Sequence, residues 1–169
     1  MSYATEKSST LIDNGVFYLG MLVLVWVGGI YNWQGWLSGL DIGLPFVPLF
    51  ILARQSNSKL VPLFVLALGL FKDVLGGTPF GFWGLLFITF YVLIYAMQRL
   101  VSVEGYREQW MSFALNIGII YTIAFAIALG RQDITASPLA MIISALATCL
   151  FYPLIALLFR LTPAMIGEE

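Results

Sequence analysis

The 169-residue sequence has no histidine, one cysteine and few charges, with eight lysines and arginines against nine aspartates and glutamates. Without histidine the commonest general base and metal ligand is missing. A single cysteine, Cys149, rules out an intramolecular disulfide and makes a thiolate-ligated metal site unexpected. The sequence carries no Walker-type phosphate loop, no Ser-His or Cys-His arrangement and no pair of acids deep in an apolar run. Catalytic, cofactor-binding and metal-ligating residues are therefore all expected to be absent, and the chain is not expected to be an enzyme. A net charge of -1 offers no basic surface to a phosphate backbone, so nucleic acid is not an expected partner.

What the sequence has in excess is apolar surface. Hydrophobic residues make up 60% of the chain and charged residues 10%, against roughly half and a quarter in soluble domains. The charges fall in short clusters separated by apolar stretches of about 15 to 25 residues, close to the ~20 needed to cross a bilayer core. This composition specifies an all-α integral membrane protein whose partners include membrane lipid. The connections are too short to hold a separate soluble module, so residues 1–169 are expected to form one transmembrane domain. The polar start MSYATEKSST is not followed by a signal-peptide pattern, so the first helix is expected to be retained.

Long, non-alternating apolar runs predict helices over about 11–30, 60–75, 82–101, 110–129 and 138–161. Between the first two lies a segment bounded by Asp41 and Arg54, expected as a helix over 42–53 or, from Trp36, over 36–53; with Pro45 and Pro48 it can also be re-entrant. Trp33 and Trp36 suit an interfacial turn. Pro153 is expected to kink the last helix. With six spans and both termini in the cytoplasm, Lys7, Arg54, Lys59, Arg99, Arg107 and Arg160 fall inside while Lys72 and Arg131 fall outside. That split obeys the positive-inside rule better than five spans do.

The stretch GLFKDVLGGTPFG, Gly69 to Gly81, places Lys72 and Asp73 inside an otherwise apolar run. Adjacent helical residues point about 100° apart, so the two do not form a natural proton relay. The structural expectation is a helix-to-helix corner: Gly76 and Gly77 end the third helix, Thr78-Pro79 begins the next, and Gly81 allows close packing. Lys72 is then expected to extend its ammonium to the outer interface, beyond the reach of Asp73. The functional alternative has Asp73 anchoring a partner or ligand at the outer face. Asp13 and Arg160 suit the dipoles of the helices they flank, while Glu104, Arg107 and Glu108 are expected in a solvated loop. Small residues, among them Gly84 and the pair Ala124 and Ala128, are expected to let helices approach closely.

The segment GLFKDVLGGTPFGFWGLLFITFYVLIYAM resembles the most recognisable region of MreD, the rod-shape-determining membrane protein family. The resemblance rests on Gly69, Leu70, Asp73, Val74, Leu75, Gly76, Gly77, Pro79, Phe80 and Gly81. LPFVPLFILA is similar to that family's short proline-containing second helix, and FYPLIALLFRL to its last. The resemblance implies a non-catalytic subunit of the bacterial cell-elongation machinery in the inner membrane. There it would work in peptidoglycan synthesis and rod shape with MreC, the actin-like MreB, a SEDS-type glycosyltransferase and a class B penicillin-binding transpeptidase. It also implies a six-helix bundle similar to the substrate-binding (S) components of energy-coupling vitamin transporters, and such a component is the alternative reading. Those components usually carry an alanine face on the first helix, whereas the segment from Leu11 to Ile30 contains no alanine.

Overall fold

The computed structural model describes residues 15, 17–28, 43–55, 60–100, 105–130 and 137–160. These form six helices and no strand: α1 (Phe17–Gly28), α2 (Phe46–Gln55), α3 (Val61–Gly76), α4 (Phe82–Leu100), α5 (Tyr106–Leu129) and α6 (Pro138–Arg160). The expected Asp13, Lys7, Lys59, Glu104, Arg131, Trp33 and Trp36 lie outside the described residues. Three helices are long and apolar enough to cross a membrane, over Phe82–Arg99, Tyr106–Leu129 and Pro138–Leu158. The protein is a helical membrane protein.

Register decides which face of each helix turns inward. On α1 the buried residues are Phe17, Met21 and Val25, four apart; on α3 they are Val61, Val65, Leu68, Gly69, Lys72 and Asp73, a single stripe at helical spacing. α6 turns Ser144, Thr148, Tyr152, Ile155 and Ala156 inward, while its leucines at 139, 146, 150, 154, 157 and 158 face outward. Against lipid an outward leucine costs nothing, so this distribution is the membrane counterpart of a polar surface.

α3 and α4 form the most intimate pair. A Cβ on Gly69 would come within 2.5 Å of the Gly84 Cα, so the two backbones touch where the helices cross. Gly84 is less constrained, since its own Cβ would meet only the tips of Leu66 and Leu70, at 3.4 Å. Ala124 and Ala128 both face inward.

The second segment differs most from expectation. Gly43 to Pro45 are not helical, and α2 runs for only 10 residues from Phe46 instead of over 36–53, of which 36–42 lies outside the described residues. At 1.5 Å per residue that is about 15 Å, half a bilayer core. α2 is nonetheless the centre of the molecule. Phe46 lies among the rings of Phe87, Phe90, Trp83 and Tyr121 at 5.0, 4.8, 6.2 and 6.5 Å, and Phe50 meets Phe113 and Tyr152 at 5.4 and 6.0 Å. Pro48 sits in the first turn of this helix, where its missing N–H leaves no intrahelical bond unmade.

The start of α2 is tied to the middle of α6. The Gly43 N–H donates to Thr148 Oγ1 at 3.0 Å, Thr148 in turn donates to the Ser144 carbonyl at 2.7 Å, and the Tyr121 hydroxyl stands 3.3 Å from the same oxygen. Thr148 is ten residues into α6, about 15 Å from the Pro138 end. α2 thus begins beside the middle of α6. It ends beside the end of α4, where Gln98 Nε2 donates to the Ala53 carbonyl at 3.4 Å.

α5 begins at Tyr106, one turn earlier than the expected 110. The Gly105 N–H donates to Glu108 Oε2 at 3.3 Å and the Gln109 N–H to the Gly105 carbonyl at 3.0 Å, so Arg107 and Glu108 belong to the first helical turn and not to a loop. A carboxylate there also complements the helix dipole.

Candidate functional site: the corner between α3 and α4

The α3–α4 corner contains every residue singled out in the Gly69–Gly81 stretch. α3 ends at Gly76, and Gly77 takes the left-handed conformation, φ 63°, that glycine adopts without steric cost. Its N–H and that of Thr78 both donate to the carbonyl of Asp73, the latter at 3.2 Å. This is the glycine-terminated closure that satisfies the last carbonyls of a helix.

The Asp73 side chain does the complementary task for the next helix. Its Oδ1 accepts from the Thr78 hydroxyl at 2.7 Å and from the Trp83 N–H at 3.0 Å, and its Oδ2 accepts from the Gly81 N–H at 2.9 Å. Phe82 opens α4, so Trp83 is in its first turn, and its N–H has no intrahelical acceptor. An N-cap normally comes from the residue just before the helix. That residue is Gly81, which has no side chain, and the carboxylate arrives instead from the preceding helix. Asp73 therefore closes α3 through its backbone and opens α4 through its side chain.

Three expectations about this corner need correction. Gly81 is not a packing position, because nothing lies within 4 Å of where its Cβ would be; it is needed for its φ of 93°. Thr78 and Pro79 do not begin the next helix but lie in the turn, where the Pro79 carbonyl accepts from the Phe82 N–H at 3.0 Å.

Lys72 does not extend to the interface. It is 2% exposed, and its Nζ sits 3.2 Å from the centre of the Trp83 ring. The physical reason is register: Lys72 follows Val61, Val65 and Leu68 on the inward stripe of α3, and α4 presents an aromatic face there. A desolvated ammonium over an indole gains about 2 kcal/mol or more, which offsets part of its burial cost. Trp83 was not singled out from the sequence, yet it meets both charged residues. No local spacing reveals this, because its partners lie across the turn on a different helix.

Chemically, the corner is a built structural unit. Three donors converge on Asp73, which is 1% exposed. Among the described residues no group of three acids or cysteines is placed to hold a metal ion. Comparison with protein-family models, with curated proteins and with solved structures finds no match in any of the three.

Proposed function

We propose that this chain is a non-catalytic membrane subunit of the bacterial cell-elongation complex, an MreD-like protein that assembles with MreC and the cell-wall synthases. The observation that carries this reading is the corner itself. Among the residues on which the resemblance to MreD rests, Asp73, Gly76, Gly77, Pro79 and Gly81 form one hydrogen-bonded turn, and the acid among them is buried and spent on holding two helices together. A rigid corner with its polar groups consumed suits a scaffold better than a reaction centre.

The proposal includes a six-crossing topology in the inner membrane with both termini cytoplasmic, α2 supplying the inner half of the second crossing. Arg54, Arg99 and Arg107 lie at the end of the bundle where α6 finishes at Arg160, and Lys72 lies at the opposite end. The positive-inside rule makes the arginine end cytoplasmic.

α2 bears on the alternative, a vitamin-binding importer component. Short helices that begin at mid-depth often present their first N–H groups to a substrate. Here the Gly43 N–H is taken by Thr148, and aromatic side chains fill the space around Phe46. That favours assembly.

The test is co-purification of the tagged full-length chain with MreC and the class B transpeptidase after mild detergent extraction. Recovery of both is the expected outcome. Recovery of neither, with specific retention of a vitamin, overturns the proposal in favour of the importer component.

A further inference from the structure

α6 contains Pro153 in its interior. Proline has no N–H, so the carbonyl four residues back, that of Cys149, loses its helical donor, and the pyrrolidine ring crowds the same carbonyl. A backbone acceptor at a membrane depth without water must find another donor. It finds one on a different helix: Trp110 Nε1–H of α5 donates to the Cys149 carbonyl at 3.1 Å.

The two sides of this break are held differently. Before it, Thr148 is bonded to Ser144 and to Gly43, and Tyr152 packs on Phe113 at 4.5 Å and on Phe50 at 6.0 Å. After it, Leu154, Leu157 and Leu158 face outward, and of the described side chains only Ile155 and Ala156 turn inward. Trp110 is itself 40% exposed, one turn into α5 at the arginine end of the bundle. The exposed indole is not part of the buried core, so its bond to α6 can break without unpacking the residues beneath it, which makes the bond reversible.

We propose that Pro153 and Trp110 form a hinge and its latch. The indole N–H replaces the helical bond that proline removes and so fixes the angle between residues 154–160 and the anchored part of α6. When the indole is drawn away, the terminal segment swings while 138–152 stays in place.

The experiment uses the full-length protein in lipid nanodiscs. Hydrogen–deuterium exchange is followed in peptides covering 138–152 and 154–160, and the indole resonances are assigned with Trp110→Phe. Trp110→Phe is expected to speed exchange in 154–160 by roughly tenfold, the loss of one hydrogen bond, while leaving 138–152 unchanged. Pro153→Ala restores an N–H that can bond Cys149, so in that background Trp110→Phe is expected to have no effect and the Trp110 indole resonance is expected to shift to its unbonded position. Equal acceleration by Trp110→Phe in both backgrounds, acceleration of the whole helix, or no acceleration in either would each overturn the proposal.

Discussion

The ammonium of Lys72 lies over the ring of Trp83, 3.2 Å from its centre, and the backbone N–H of the same tryptophan donates to Asp73. One residue of α4 therefore meets both members of the charged pair on α3. A double-mutant cycle with Lys72→Met and Trp83→Leu is expected to show a coupling of about 1–2 kcal/mol, read by thermal unfolding in detergent. Trp83→Phe, which keeps a ring beneath the ammonium, is expected to retain part of that coupling. Additive single mutants would show that the contact contributes nothing.

Asp73→Ala removes three accepted hydrogen bonds and strands the Gly81 and Trp83 N–H groups. The expected loss is about 3–5 kcal/mol, comparable to breaking a buried charged network, with poor recovery of folded protein on size exclusion. Asp73→Asn keeps one acceptor oxygen and is expected to fall between alanine and the parent. A parent-like melting temperature for Asp73→Ala would mean that the cap is dispensable.

The helix crossing predicts an asymmetry between two glycines. Gly69→Ala drives a methyl into the Gly84 backbone at 2.5 Å and is expected to cost about 1–3 kcal/mol by forcing α3 and α4 apart. Gly84→Ala meets only flexible leucine tips, and its gain in helix propensity of up to about 1 kcal/mol offsets the crowding, leaving stability near the parent value. Equal effects of the two substitutions would contradict the packing described.

Thr148→Val keeps the side-chain shape but leaves the Gly43 N–H without its acceptor in the buried interior. A cost of about 1–3 kcal/mol is expected, with Thr148→Ser close to the parent. Melting temperatures of the three proteins side by side provide the check; equal values for valine and serine would show that the hydroxyl does not hold α2.

Much of this architecture is legible in the sequence because lipid imposes a coarse rule: long apolar runs between charge clusters have only one common solution, the helix. The corner's glycines are legible as well, since Gly76-Gly77 followed by Thr78-Pro79 can hardly continue a helix. Lys72 is not. Apart from Asp73 every neighbour on α3 is apolar, so no inward stripe stands out, and a long basic side chain near a helix end reads as one that reaches for water. The partners of Asp73 are hidden for a related reason, as its donors lie five, eight and ten residues ahead, across a turn whose shape no local rule supplies. Pro153 announces a break in α6, but nothing in the sequence pairs it with Trp110. The short α2 is hard to place because its apolar residues point in all directions, a pattern that burial and lipid exposure share.

The position of α2 also bears on how the protein is made. A ten-residue helix cannot hold itself across a bilayer, and the aromatic cage around Phe46 comes from α4 and α5. The tether at its start, from Gly43, is to Thr148, 105 residues further along the chain. A chain delivered to the membrane from its N-terminus thus presents α2 long before its lodging exists. The start of α2 therefore gains its acceptor only once α6 is in place, and the seating of an early helix depends on one made much later.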